Sequence, residues 1–250
     1  MTELEGQRIS REQLERMCHR YRWAAEICAG TDVLEVGCGA GQGLAVLQQS
    51  ARSVTAGDYS PEVLATALAH FPAVRLSVFS AEALPFADQS FDRVLLFEAL
   101  YYVDSAAFFA EARRVLRPGG ALLIVTANKD LYDFTPSPFA RRYLGTAELA
   151  KELAQASFTV TQYGYLDTSR VGLRQRILRP VKALASKFGL MPRTMRGKEF
   201  FKKLFFGSMT EMPADLASVP FDYAPPTPIG DEPDQCHKVL YCRADWPQKG

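Results

Sequence analysis

The sequence predicts an α/β fold in which a mostly parallel sheet is covered by helices on both faces. Three observations carry this expectation. Short apolar runs alternate with helical stretches from residue 32 to residue 166, the pattern of strands joined by crossover helices. A glycine-rich turn, Glu35-Val-Gly37-Cys-Gly39-Ala-Gly41, separates the first of these runs from the helix after it. The 250 residues are 48% hydrophobic and 23% charged, enough for one large domain with a buried core and against disorder as the main state.

Taken in order, residues 10–29 read as a helical lead-in, with Leu14, Met17, Cys18, Tyr21 and Ala25 at three- and four-residue spacing and Gly30 as the stop. Asp32 to Val36 is a short run of the buried parallel type, and Leu44 to Gln49 is helical. Further strands are expected at Ser53 to Gly57, Val74 to Phe79, Arg93 to Phe97 and Ala121 to Thr126, with helices at Pro61 to His70, Ala106 to Leu116 and Thr146 to Ala156. Pro118-Gly119-Gly120 reads as a plain turn. Late strands fall at Phe158 to Leu166 and His237 to Arg243. The expected division is a lead-in at 1–30, a main domain at 31–167 plus 236–250, and an inserted, mainly helical cap at 168–235.

Cys18, Cys28, Cys38, Cys236 and Cys242 are an odd set without close Cys-x-x-Cys spacing, and MTELEGQRIS carries no apolar signal core, so a reduced cytoplasmic setting is expected. No apolar run reaches the roughly 20 residues a spanning helix needs. A metal site is not expected, since Cys18-His19 and Cys236-His237 would form one only if the two segments met. The net charge of +1 hides an asymmetry: residues 170–206 hold eleven Lys or Arg and one acid, Glu199.

At the glycine turn the backbone can approach a ligand closely and the amides of the helix start face it, which points to a nucleotide-like ligand. The dinucleotide fingerprint fails in every register, because Gln42, Leu44 and Val46 follow three residues after Gly39, Gly41 and Gly43. NAD and FAD are therefore not expected. Glu35-x-Gly37-x-Gly39-x-Gly41 instead resembles motif I of the class I, Rossmann-like S-adenosylmethionine-dependent methyltransferases.

The resemblance continues along roughly residues 15–165 and is closest to the small-molecule branch called type 11. It implies a seven-stranded sheet of order 3-2-1-4-5-7-6, with the cap inserted between strands 6 and 7, and S-adenosylmethionine as cofactor. On the turn, Gly37, Cys38, Gly39 and Gly41 would shape the loop and Glu35 would order it or its ligand. Asp58 stands 21 residues after Gly37 and ends the second strand, with Tyr59 beside it, where the family keeps an acid for the ribose hydroxyls. The bland alternative for Asp58 is an N-cap before the Pro61 helix. Ser80, Ala81 and Glu82, followed by Ser90-Phe-Asp92, resemble the segment that brackets adenine. Ser80 stands where the family commonly has Asp, so that contact falls to Ala81 or Glu82 in its place. Leu116-Arg-Pro-Gly-Gly120 matches the usual approach to the fifth strand.

Ligands of open α/β sheets sit at the carboxyl ends of strands, which places Phe97-Glu98-Ala-Leu-Tyr101-Tyr102 at the methyl group. Glu98 is the candidate general base or partner of the methionine amino group, with a helix-start carboxylate as the competing role. Tyr101 and Tyr102 are candidates for the acceptor pocket or a cation–π contact, with core packing as the alternative. The Asn/Asp-Pro-Pro-aromatic motif of nucleic-acid amino methylation is absent, so a nucleic-acid partner is not expected. His19-Arg20-Tyr21 resembles a segment that closes over the cofactor in some type 11 enzymes, with Arg20 for its carboxylate and Tyr21 over its methyl group. The alternative is an amphipathic helix with Arg20 exposed and Tyr21 packed.

In the basic insertion, Leu173, Ile177, Val181, Leu184 and Phe188 make an apolar stripe beside Arg174, Arg176, Arg179, Lys182 and Lys187. Lys198 to Phe206 mixes aromatics with cations. The first reading is a lid that recognises a small anionic acceptor, such as a nucleotide-linked sugar or a phosphorylated or carrier-bound metabolite. A peripheral-membrane methyltransferase of a lipid or quinone, touching anionic lipid through 170–206, and a solvated helical face are the alternatives. A protein that binds the cofactor without transferring its methyl group is the competing class.

Overall fold

The computed structural model describes residues 6–168 and 209–248. Its elements are β1 (Arg8–Ser10), α1 (Arg11–Ile27), β2 (Asp32–Val36), α2 (Leu44–Gln48), β3 (Ser53–Asp58), α3 (Pro61–His70), β4 (Arg75–Val78), β5 (Phe91–Phe97), α4 (Ser105–Val115), β6 (Leu116–Ala127), α5 (Thr146–Gln155), β7 (Thr159–Asp167), β8 (Met209–Glu211), β9 (Thr227–Ile229) and β10 (His237–Asp245). The main sheet runs β4-β3-β2-β5-β6-β10-β7-β9. Its first five strands are parallel, and β10 is antiparallel to both neighbours. The expected 3-2-1-4-5-7-6 order is present within it.

Three expectations need correction. The sheet has eight strands rather than seven, because β9 adds to β7 at the edge; three residues with a central proline gave no strand signal. The residues before α1 also form a strand, β1, which pairs with β8 in a separate two-stranded sheet. The described part of the expected cap, 209–235, is extended with one 3-10 turn at Leu216–Ser218, and the stretches of the cap expected to be helical lie outside the described residues. Pro118-Gly119-Gly120 is a bulge inside β6: Phe91 pairs with Leu116 and Arg93 with Ala121, so Arg117 to Gly120 oppose Asp92 alone, and Gly119 takes φ +82°. The basic segment 170–206 lies outside the described residues.

The central strands are apolar on consecutive residues because helices cover both of their faces. Leu34 and Val36 of β2, Val94 and Leu96 of β5, and Leu122 and Ile124 of β6 enter one cluster with Phe108 and Phe109 of α4 and Leu149 and Leu153 of α5. Val33, Leu95, Phe97, Leu123 and Val125 alternate with them into the opposite cluster, under Met17, Tyr21 and Trp23 of α1. Each such side chain, fully buried, contributes roughly 1.5–3 kcal/mol. At the amino ends of the strands Arg52 and Arg117 bridge Asp32 and Asp92 at 2.6–3.0 Å. That end of the sheet is clamped by charge, and the carboxyl ends are left for a ligand. Among the described residues no helix is long and apolar enough to cross a membrane.

α1 is held down by His19. A carbonyl can only accept, so His19 Nε2 donates to Ala224 O (2.9 Å), and Nδ1 is left to accept from the Tyr241 hydroxyl (2.7 Å). The ring stacks on Tyr165 with centroids 3.6 Å apart. One imidazole thus joins α1 to β7, to β10 and to the segment leading into β9. Burial pushes this histidine down to about 4, only partly offset by the bond to Ala224. An unfolded histidine titrates near 6.5, so the unfolded chain binds the extra proton first and stability falls as pH drops from about 6.5 to about 4. Urea unfolding at pH 7 and pH 4.5 tests this. The stability advantage of the wild type over His19→Gln is expected to shrink by about 2 kcal/mol at the lower pH.

Candidate functional site

The carboxyl ends of β2, β3 and β5 open into a cavity of about 830 Å3, within the ~300–1,000 Å3 of small-molecule sites. Its floor is the turn between β2 and α2. Gly37 and Cys38 both donate their amides to the Gly57 carbonyl (2.8 and 3.0 Å), which folds the turn back over β3. Gly37 takes φ +73° and faces the cavity; a side chain there would be strained and would touch Ala99. Gly41 takes φ +84°, and a Cβ on it would lie 2.9–3.1 Å from Leu44, Ala67 and Phe71. Gly41 therefore serves the packing of the turn against α3 and does not line the cavity.

Asp58 ends β3 beside this turn. Its Oδ2 accepts from the Gly39 amide and its Oδ1 from the Ser60 amide, each at 3.0 Å. The N-cap of α3 is Ser60, whose hydroxyl accepts from Val63 N, so Asp58 is not the cap. A carboxylate offers about four acceptor positions, and one backbone bond to each oxygen leaves room for ligand hydroxyls. Tyr59 stands at the rim, 79% exposed. Ser80, Ala81 and Glu82 line the far wall with Phe79. The Ser80 hydroxyl accepts from Glu82 N (3.1 Å), and Glu82 Oε1 already takes the Asp104 amide and Arg141 Nη1, both at 2.8 Å.

At the other end of the cavity Glu98 has φ +52°, a left-handed conformation that costs a residue with a side chain about 1–2 kcal/mol. Strain of this kind persists where neighbours fix it and clusters at functional sites. Here the Glu98 amide donates to Val125 O (2.7 Å), Oε1 accepts from Arg16 Nη2 (2.5 Å) and Oε2 lies 3.4 Å from the Tyr101 hydroxyl. Glu98 is not a helix-start carboxylate, because only a 3-10 turn at Leu100–Tyr102 follows and α4 begins at Ser105 with Asp104 as its cap. Tyr101 stacks on Tyr143 with centroids 4.5 Å apart and meets Tyr102 edge-on at 4.6 Å. Burial beside Glu98 pushes its phenol well above the ordinary value, so it stays protonated and can donate.

α1 closes the cavity from above. Arg20 lines it, its guanidinium 5.5 Å from the Tyr21 ring centroid. Tyr21 lines it too, but its hydroxyl is turned to donate to Glu35 Oε1 (2.5 Å) and its ring meets Phe97 edge-on. Glu35 lies behind the wall, 1% exposed, with Oε2 lacking a hydrogen-bond partner. Burial, against the pull of Tyr21 and Arg20, lifts its carboxyl up to about 7. The cavity thus draws together Arg20, Tyr21, Gly37, Cys38, Gly39, Asp58, Tyr59, Ser80, Ala81, Glu82, Phe97, Glu98, Tyr101 and Tyr102, and leaves Glu35 and Gly41 outside its lining.

Two residues escaped the sequence reading. Arg16 stands four residues before Arg20, hence on the same face of α1, and that spacing is the signal that would have found it. Gly43 gave no signal: a Cβ there would lie 2.0 Å from the Tyr21 ring, so its value shows only once α1 is docked.

A cationic, adenosyl-bearing cofactor fits these residues on two counts. A turn that presents its backbone to the cavity adjoins a carboxylate with acceptor positions to spare, and a buried acid with an unsatisfied oxygen sits behind that turn. The comparisons with known proteins agree. Residues 34–124 match the family model described as a methyltransferase domain. A probable S-adenosylmethionine-dependent methyltransferase of Mycolicibacterium smegmatis is 39% identical over 145 residues, 56% of each chain. A ubiquinone biosynthesis O-methyltransferase of Xanthomonas oryzae is 35% identical over 136 residues, 52% of this chain and 54% of that one. This chain spans about half the length of the curated relatives it matches. Among solved structures the [4+2]-cyclase SpnF aligns with a TM-score of 0.61 at 20% identity, covering 99% of this chain and 86% of that one, a likeness of fold. Residues 34–124 thus match a methyltransferase domain, the chain shares the fold of Rossmann-like methyltransferases, and S-adenosylmethionine is the cofactor named for the Mycolicibacterium relative.

Gly43→Ala is expected to drive a methyl group into the Tyr21 ring and to cost about 1–3 kcal/mol as overpacking. Scanning calorimetry of the variant checks this. An unchanged melting temperature would mean that α1 does not rest on the turn as described.

Proposed function

We propose that this chain transfers a methyl group from S-adenosylmethionine to a small acceptor that enters beside Glu98. The observation that carries the reading is a single cavity walled at once by the glycine turn, Asp58, Ser80 to Glu82 and Glu98 to Tyr102. When bound, the sulfonium supplies a methyl carbon already open to in-line displacement. The turn and Asp58 would hold the adenosyl part, while α1 with Arg20 and Tyr21 excludes water from one side. Glu98, oriented by Arg16 and Tyr101, is placed to take the proton that an O–H or N–H acceptor releases.

Among the described residues four carboxylates, Glu12, Asp58, Glu82 and Glu98, line the cavity against two guanidiniums, Arg16 and Arg20. That balance suits a cationic cofactor and an acceptor without strong negative charge. An anionic acceptor would need the cations of 170–206, which lie outside the described residues.

Two exposed aromatics favour a second reading, in which the acceptor is a lipid or quinone met at a membrane surface. Tyr132 (67% exposed) and Phe139 (79%) stand in the same β6–α5 connection as Arg141 and Arg142, aromatics beside cations as at an interface. The 35% identity to a ubiquinone biosynthesis O-methyltransferase lends it support.

Calorimetric titration with S-adenosylmethionine, S-adenosylhomocysteine and NAD in parallel tests the cofactor. Binding of the first two near the micromolar range, none of NAD, and at least a tenfold loss in a folded Asp58→Ala variant are expected. Wild-type affinity in that variant would remove Asp58 from the site. Liposome cosedimentation separates the acceptor readings: binding to anionic vesicles that weakens with salt and in a Tyr132→Ser/Phe139→Ser variant supports the membrane reading, and no binding opposes it.

A further inference from the structure

Glu35 and Tyr21 form a pair whose placement the adenosyl contacts do not require. The carboxylate is buried behind the turn with Oε1 on the Tyr21 hydroxyl and Oε2 without a hydrogen-bond partner, an arrangement that penalises the anion. Tyr21 cannot easily shift, since its ring fills the notch left by Gly43 on one side and meets Phe97 on another. The titratable and charged groups facing Glu35 are Arg20 and Tyr21 on α1, Cys28 just past its end, Cys38 in the turn and Asp58 at the end of β3. Among these, Arg20 supplies the positive charge, and Asp58 opposes it across the turn.

We propose that Glu35 releases a proton when the cationic cofactor enters the adjoining cavity, and that Tyr21 is its positioning residue, setting the pH range over which this happens. The inference rests on the reading that the cavity takes S-adenosylmethionine. Without cofactor, burial holds the Glu35 carboxyl up to about 7. A positive charge arriving next door favours the ionised form, so the proton leaves to solvent on binding. The sign follows from linkage. Below about pH 7 the free protein carries the proton and must lose it to bind well, so affinity falls as pH falls through 7 and levels off above it, by up to about tenfold per pH unit. The Tyr21 hydroxyl donates to the carboxylate and favours its ionised form. Removing that donor moves the whole range to higher pH.

The test is calorimetric titration of the full chain with S-adenosylmethionine from pH 5.5 to 8.5, with pH 6.5 repeated in two buffers of different ionisation enthalpy. Wild type, Tyr21→Phe and Glu35→Gln are compared, and uncharged 5′-methylthioadenosine serves as a second probe. Relative to Glu35→Gln, which isolates Glu35 from the cofactor's own amino group, the wild type should gain at least about fivefold in affinity between pH 5.5 and 7.5 and release protons at pH 6.5. Tyr21→Phe should show the same rise displaced upward in pH, and methylthioadenosine should show none. A wild-type profile that matches Glu35→Gln overturns the proton release. A Tyr21→Phe profile superimposed on the wild type overturns the role of Tyr21, and that comparison stands even if Glu35→Gln does not fold. Methylthioadenosine and S-adenosylmethionine binding with no difference in pH dependence overturns this inference alone. Binding of neither probe at any pH overturns it together with the proposed function.

Discussion

The site hangs on the way the end of β3 receives the end of β2. The Gly57 carbonyl takes two amides from the turn, and the Asp58 carboxylate takes a third from Gly39. Those bonds exist because parallel strands end level with each other, and because glycine at 37 permits the reversal that a side chain would resist. Once the turn is folded back, Cys38 is buried, Gly41 meets α3, and the groove between β2 and β5 becomes a cavity. The core below supplies the rigidity. Its strands are covered on both faces and cross-braced at their far ends by arginine and aspartate, so the turn rests on a packed and braced support.

α1 brings three chemistries to bear from one surface. Arg16 and Arg20, one turn apart, reach the cavity with Tyr21 beside them, while His19 points the other way into the aromatic cluster of Tyr165, Tyr223 and Tyr241. The helix is therefore anchored on the sheet by one face and presented to the site by another. Glu98 shows the other half of the arrangement: its strained backbone is set by the end of β5, but its carboxylate is set by Arg16, 82 residues earlier in the chain. Neither element alone defines the acceptor end of the cavity.

Much of this was legible in the sequence because parallel strands and their crossover helices leave strong local patterns. Pro61 to His70 was read to its boundaries, with proline at the first position, although the cap before it is Ser60 and not Asp58. β2, β3 and β5 were placed within two residues, and the glycine turn and Asp58 were found from spacing. What escaped depends on contacts between distant segments. The three residues of β9 pair only because β7 offers an edge, and Gly43 matters only because a tyrosine from α1 lies on it. Pro118-Gly119-Gly120 has the composition of a turn, yet β5 on one side and Trp246 on the other hold it as a bulge. The Arg16–Glu98 pair was reachable from helical spacing, but only after the face of α1 carrying Arg20 was known to meet the cavity.

The position of β10 has a bearing on how the chain is made. This strand lies between β6 and β7, yet it emerges from the ribosome long after both, with residues 168–236 still to be synthesised in between. Until then β6 and β7 present unpaired edges, and the Tyr241 hydroxyl that donates to His19 is absent. Until β10 arrives the sheet is open and the first helix lacks its His19–Tyr241 bond, and both are completed by a segment far away in sequence. The period before that closure is when such a chain is most exposed to misassembly and to the chaperones that prevent it.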